Sequence, residues 1–207
     1  MHQSSYDKMA LFKERFLDSD HSLSILDLGS QDVNGSYRDL FEEKNWRYTG
    51  MDMVPGKNVD LVVDNPYCWK ELRSCSYDVV VSGQALEHIR YFWVTMLEIF
   101  RVLNPGGMCC LLAPSSGPEH RYPVDCWRIY PDGFSGLARF AQMDVLHVET
   151  QWQDLGYQDG SDVWHDSMLV GQRPRFSPWI DVKARAKNRL QHLVLSTGLP
   201  GDIAAEQ

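Results

Sequence analysis

No stretch of this 207-residue chain is apolar for the roughly 20 residues that a membrane-spanning helix needs, so no transmembrane segment is expected. The opening residues, Met1-His2-Gln3-Ser4-Ser5, lack the basic cluster and apolar run of a secretory leader, which predicts a cytoplasmic location. Positive charge is also scarce: 20 Lys and Arg face 28 Asp and Glu, leaving a net charge of -8. Proteins that bind nucleic acid usually present a basic face that displaces phosphate counterions, so nucleic acid is not an expected partner. The five cysteines, Cys68, Cys75, Cys109, Cys110 and Cys126, have no metal-ligand spacing. Cys109 and Cys110 sit in an apolar run where thiols act as small hydrophobes; no zinc site is expected, and a reducing compartment fits.

What the chain does have is an ordinary globular composition, 43% hydrophobic and 23% charged, and enough length for one substantial core. Apolar runs and helical spacing predict an alternating order. A helix over residues 6–17 precedes a strand at 22–28, a helix at 36–44, a strand at 46–53 and a short apolar stretch at 59–63. A strand at 77–82 leads to a helix at 91–103, which Asn104-Pro105-Gly106-Gly107 should stop before a strand at 108–113. A helix at 131–140, strands at 144–150 and 167–172, and a helix at 178–196 complete the order. Alternation of this kind builds a mostly parallel sheet covered on both faces, and the last two strands, with no helix between them, should pair antiparallel. Residues 1–172 are expected to form the main domain. Residues 173–207 form a basic amphipathic helical extension, with six Lys or Arg between Arg173 and Arg189 against the single acid Asp181.

In an open parallel sheet, ligands bind beyond the carboxyl ends of the strands. There the first strand runs through Asp27 into Gly29, Ser30, Gln31 and Gly35, a turn whose glycines admit close backbone approach. It is no phosphate loop, because no Lys-Ser/Thr pair follows, and the middle glycine of a dinucleotide fingerprint is missing. Asp52, followed by Met53, ends the second strand, where a carboxylate can accept both ribose hydroxyls. Asp64 and Asn65 follow the third apolar stretch, and Ser82 and Gly83 end the fourth strand. Each alone reads as a strand-end cap; their order together points to a nucleoside-type ligand.

The stretches ILDLGSQDVNG, YTGMDMVPGKNVDLVVDN, YDVVVSGQALEHI and IFRVLNPGGMCCLLAP resemble the class I S-adenosylmethionine-dependent methyltransferases, in that family's order. Gln31 and Asn34 depart from it where many members carry further glycines. The resemblance implies an α/β, Rossmann-like class I methyltransferase fold: a seven-stranded, mostly parallel sheet with an antiparallel terminal strand. It also implies S-adenosyl-L-methionine as cofactor, with Gly29 and its neighbours beside the methionine part, Asp52 on the ribose, Asp64 and Asn65 at adenine, and Asp27 ordering the loop.

The acceptor end is expected in two places. Glu87-His88 follows the fourth strand, and similar methyltransferases often carry Glu-His there as pocket wall. The denser signal is the loop from Gly117 to Tyr130, which joins His120, Arg121, Tyr122, Asp125, Trp127 and Arg128 at the same sheet edge. A similar His-x-Tyr-Pro-x-Asp-x-Trp-Arg pattern occurs in methyltransferases of polysaccharide and surface-glycan pathways. His120 is the first candidate for general base, with Asp125 as its orienter or a competing base and His88 as a further catalytic candidate. Glu87, Arg121, Tyr122, Trp127 and Arg128 are candidates for holding the acceptor; an Asp125–Arg128 ion pair bracing the loop is the competing reading. No metal is predicted, although the His and carboxylate groups there could receive a divalent ion. The expected function is O-methylation of a sugar hydroxyl on a saccharide or glycan precursor. The alternatives are a non-sugar small-molecule acceptor or a non-catalytic cofactor-binding subunit, and the C-terminal helix could support a homodimer.

Overall fold

The computed structural model describes residues 2–199. The end of the expected extension, residues 200–207, lies outside them. Helix α1 (Gln3–Phe16) leads into β1 (Leu23–Leu28), β2 (Trp46–Asp52), β3 (Leu61–Val62) and β4 (Tyr77–Gly83). Then follow α2 (Phe92–Val102), β5 (Leu103–Ala113), α3 (Pro131–Phe140), β6 (Asp144–Thr150), β7 (Ser167–Gln172) and α4 (Pro178–Ser196). The strands form one seven-stranded sheet in the order β3-β2-β1-β4-β5-β7-β6. β3, β2, β1, β4 and β5 pair in parallel, and β7 enters antiparallel between β5 and β6. This is the Rossmann-like α/β methyltransferase architecture expected from the sequence.

Both faces of the sheet are covered, which is why β1, β4 and β5 read as continuous apolar runs instead of alternating ones. On one face Leu26, Val80, Cys109 and Leu111 pack with Met96, Leu97 and Phe100 of α2 and with Phe134 of α3. On the other, Ile25, Val79, Val81, Cys110 and Leu112 pack against Met9 and Phe12 of α1. Cys109 and Cys110 are fully buried, one on each face, as small hydrophobes.

Three elements differ from expectation. The helix expected at 36–44 is a single 3-10 turn, Arg38–Phe41. Only Tyr37 and Phe41 are buried there, and so short an apolar stripe cannot sustain an α-helix on its own. Strand β5 begins at Leu103 and takes Asn104-Pro105-Gly106-Gly107 into the sheet edge instead of leaving it as a turn. Gly106, at φ 87°, donates to the Arg173 carbonyl at 2.8 Å, and the register of β4 on β5 shifts at this end. Finally, Arg173, expected to open the basic amphipathic extension, is fully buried. Its guanidinium donates to Leu103 O at 2.6 Å, pairs with Asp181 at 2.7 Å and lies 4.6 Å from the Phe100 ring. Helix α4 docks on α2 through Ala184 and Asn188, whose amide donates to Leu97 O at 3.1 Å. Trp179, Leu190, Leu193 and Val194 remain exposed on its outer side. Among the described residues no helix is long and apolar enough to cross a membrane.

Candidate active site

A cleft of about 600 Å³ opens at the carboxyl ends of β1, β2 and β4, the place where strand order reverses in this sheet. One wall is the turn after β1. The amides of Gly29 and Ser30 donate to Met51 O at 2.9 and 3.1 Å, tying that turn to the end of β2. Gly29 holds φ 76°, and a Cβ there would collide with Ala85, so only glycine fits without strain. Asp52 Oδ2 accepts the Gln31 amide at 3.1 Å while its Oδ1 accepts the Met53 and Val54 amides at 2.7 and 3.2 Å. Those bonds orient the carboxylate at the cleft, fill both lone pairs of Oδ1 and leave one on Oδ2. Gly35 donates to Asp32 at 2.7 Å, closing the turn.

Asp27 lies at the floor, with Tyr48 donating its hydroxyl to Oδ2 and no partner for Oδ1 among the described residues. Burial raises its carboxyl to about 7, opposed by the Tyr48 hydrogen bond. Gly83, at the end of β4, faces the Tyr37 ring so closely that any side chain would strike it. Tyr37 in turn shares a 2.5 Å hydrogen bond with Ser5 of α1. The first helix thereby braces the cleft.

The far wall is the segment after β4 together with the loop after β5. His88 and His120 both line the cleft, their rings 4.9 Å apart and edge to face. His88 Nδ1 donates to the Val124 carbonyl at 2.5 Å, which leaves Nε2 as the unprotonated nitrogen of a neutral ring; burial holds its pKa below the ordinary value. Glu87, fully buried behind it, places Oε1 3.7 Å from that Nε2, and neither carboxylate oxygen has a hydrogen-bond partner among the described residues. Burial raises the Glu87 carboxyl to about 8. The loop is pinned to this segment by the Cys126 amide donating to Glu87 O at 2.8 Å. Arg121 and Tyr122 complete the rim.

The cleft thus gathers Asp27, Gly29, Ser30, Gln31, Gly35, Asp52, Met53 and Gly83 from the expected cofactor set, and His88, His120, Arg121 and Tyr122 from the acceptor set. Other expected residues lie elsewhere. Asp64 is turned to solvent beside Lys70 at 3.4 Å, and Asn65 Oδ1 caps the Tyr67 amide at 2.7 Å. Ser82 does not line the cleft, whereas Gly83 beside it does; the Ser82 hydroxyl donates to Leu28 O at 2.9 Å inside the sheet. Val63 and Pro66 line that end of the cleft instead, apolar residues that a search for hydrogen-bonding acids passes over. Trp127 packs on Phe92 and Trp93 and donates to the Arg90 carbonyl at 3.1 Å, away from the cleft. Asp125 and Arg128 form a forked ion pair at 2.6 and 2.8 Å, and the guanidinium holds the Asp125 carboxyl well below the usual carboxylate range. That pair does not line the cleft, and so acidic a carboxyl is a brace and not a base. Gln84 also lines the cleft, at φ 57°, and donates to Asp166 at 2.9 Å, a bond between residues distant in sequence that no local motif announces.

A sequence profile for a methyltransferase domain matches residues 2–161, which span α1 through β6 and every residue of the cleft. The chain belongs to this methyltransferase domain family. No curated protein matches it. Among solved structures, the 1,6-didemethyltoxoflavin-N1-methyltransferase of Burkholderia thailandensis, holding 1,6-didemethyltoxoflavin and S-adenosylhomocysteine, is similar with a TM-score of 0.63 and 13% identity, over 83% of this chain and 79% of that one. The [4+2]-cyclase SpnF is similar with a TM-score of 0.61 and 15% identity, over 83% and 82%. The CurJ carbon methyltransferase gives a TM-score of 0.56 and 12% identity over 78% of this chain; the chain spans about half, 51%, of that one. At these identities the methyltransferase shares their fold, and nitrogen methylation, carbon methylation and cyclisation in the three do not choose its acceptor.

Proposed function

We propose that this methyltransferase takes its methyl group from S-adenosylmethionine and places it on a hydroxyl oxygen of a saccharide or glycan precursor. The cleft's own features fit such a donor. The Gly29 turn presents bare backbone to the cleft, the Asp52 carboxylate keeps an Oδ2 lone pair for a ribose hydroxyl, and the buried Asp27 keeps one oxygen without a partner among the described residues. When bound, S-adenosylmethionine supplies a methyl group already activated on a sulfonium, so the protein's part is alignment and proton removal.

The carrying observation is that His88 and His120 share one cleft with Gly29 and Asp52. A hydroxyl needs a proton sink as its oxygen forms a new bond. His120, partly exposed on the cleft wall, is the proposed sink, and the neutral His88 ring beside it offers Nε2 as an acceptor that positions the hydroxyl. Arg121 and Tyr122 at the rim supply a guanidinium that can pair with an acidic group and an aromatic face on which a ring can pack. Asp125 and Arg128 hold the loop in place for them.

Incubating the purified protein with methyl-labelled S-adenosylmethionine and a panel of saccharides, phenols and amines tests the reading. A gain of one methyl mass on a saccharide hydroxyl supports it; transfer only to a phenol or an amine overturns the acceptor class. Donor binding without transfer to any panel member or cell-extract fraction overturns the enzyme reading in favour of a binding subunit.

A further inference from the structure

Glu87 is fully buried, yet neither of its carboxylate oxygens has a hydrogen-bond partner among the described residues. Buried polar atoms are nearly always paired, so two orphaned oxygens on one side chain call for an occupant. They do not face apolar packing alone: Oε1 looks toward His88 Nε2 at 3.7 Å, and His120 stands against the same ring. One ligand atom each from Glu87, His88 and His120 lies within 4.8 Å of the others. We propose that these three side chains form a binding site for a divalent first-row metal ion at the acceptor end of the cleft.

The donor set is two imidazoles and one carboxylate, which suits zinc, manganese, cobalt or ferrous iron and is too nitrogen-rich for calcium or magnesium. A metal-ligating imidazole usually commits its outer nitrogen to a carbonyl or carboxylate, which fixes the ring and the tautomer. The His88 ring has that support: its Nδ1 donates to Val124 O at 2.5 Å. His120 Nδ1 lies 3.3 Å from Asp125 Oδ2 without a hydrogen bond, and the loop places that ring through its amide, which donates to the same carboxylate at 2.7 Å. Ligand atoms on an ion with bonds of about 2.1 Å stand roughly 3.4 Å apart, so the triangle must close by no more than about 1.4 Å. Only three protein ligands are present among the described residues, and the two imidazoles line the cleft, so the remaining coordination positions open toward the acceptor.

This inference rests on the proposed function for its purpose and not for its existence. An acceptor hydroxyl bound to the ion has its O–H acidity raised, and the O–H bond breaks with the proton passing to water while the oxygen stays on the ion. His120 then serves as ligand, and the ion replaces the imidazole as the means of ionising the acceptor.

Calorimetric titration of zinc and cobalt(II) into the purified chain, with no donor or acceptor present, reads the ion alone. One equivalent should bind, with visible bands from cobalt in a low-symmetry nitrogen and oxygen site. Glu87→Gln and His120→Ala should each weaken that binding at least about 10-fold. His120 is partly exposed, so its variant remains informative if the buried Glu87 substitution disturbs folding. Asp52→Asn should bind metal as the unaltered protein does while losing donor affinity, which separates failure of the metal site from failure of the methyltransferase reading. No binding by the unaltered protein, or equal binding in His120→Ala, overturns the site.

Discussion

Asp125 and Arg128 face each other across one turn of the loop after β5, carboxylate to guanidinium in a fork at 2.6 and 2.8 Å. The same carboxylate accepts the His120 amide at 2.7 Å, and the Arg128 guanidinium also donates to Pro118 O at 2.8 Å. The pair therefore closes the loop on itself and sets where His120 stands in the cleft wall. Planar forked geometry is something lysine cannot reproduce.

Asp125→Asn is expected to cost about 1–3 kcal/mol of stability, because it leaves the partly exposed Arg128 guanidinium without its counter-charge. Arg128→Lys should fall between that variant and the native protein. Chemical denaturation measures both. Equal stability of Asp125→Asn and the native chain would mean the fork does not hold the loop.

Asp52 gives the sharpest test of the donor end. Its carboxylate spends lone pairs on the Gln31, Met53 and Val54 amides and keeps one, on Oδ2, for a ligand in the cleft. Hydrogen bonds to a charged acceptor are each worth about 1.5–3 kcal/mol, so Asp52→Ala should weaken donor binding by roughly 10- to 100-fold in a calorimetric titration. Unchanged affinity would remove the ribose role.

Much of the fold was legible because buried parallel strands announce themselves as short apolar runs, and β1, β4 and β5 are such runs. The candidate cleft was legible where its lining follows strand ends, as with Gly29, Asp52 and Gly83. It was not legible where a residue's role depends on a distant partner. Asp64 carries the right chemistry, yet the turn after β3 aims it at Lys70 and solvent. Trp127 sits in a loop of acceptor-binding types, but Phe92 and Trp93 of a helix far off in sequence draw it away from the cleft. Arg173 looked like the first charge of the basic amphipathic extension, and only the folded chain supplies the Leu103 carbonyl, Asp181 and the Phe100 ring that bury it.

The buried Asp27 carboxyl predicts a pH dependence of stability. Its folded-state pKa is about 7 against an ordinary value of 3.8, so between these limits the folded protein holds a proton that the unfolded chain has released. The contribution to stability is therefore fully present below about pH 4 and is lost as pH rises through about 7, a change on the order of a few kcal/mol. Asp27→Asn keeps an acceptor for Tyr48 and removes the titration. Denaturant midpoints at pH 5 and pH 8 should differ less in this variant than in the native protein; an identical difference would contradict the raised carboxyl.

His120 and His88 are expected to separate in kinetics. His120 stands on the cleft wall with its ring edge toward His88 and makes no contact that orders the Gly29 turn, so His120→Ala should retain donor affinity. Its turnover should fall by about 10²- to 10⁴-fold, the range for losing a group that ionises the acceptor, whether the ring takes the proton itself or holds the ion that acidifies the hydroxyl. His88 is also structural, because its Nδ1–H bond to Val124 O fastens the loop to the segment after β4. His88→Ala should therefore lower the denaturation midpoint as well as turnover, whereas His120→Ala should leave the midpoint close to native. Full turnover in His120→Ala would place the chemistry elsewhere in the cleft. A midpoint unchanged in His88→Ala would show that the Cys126–Glu87 bond, at 2.8 Å, holds the loop without it.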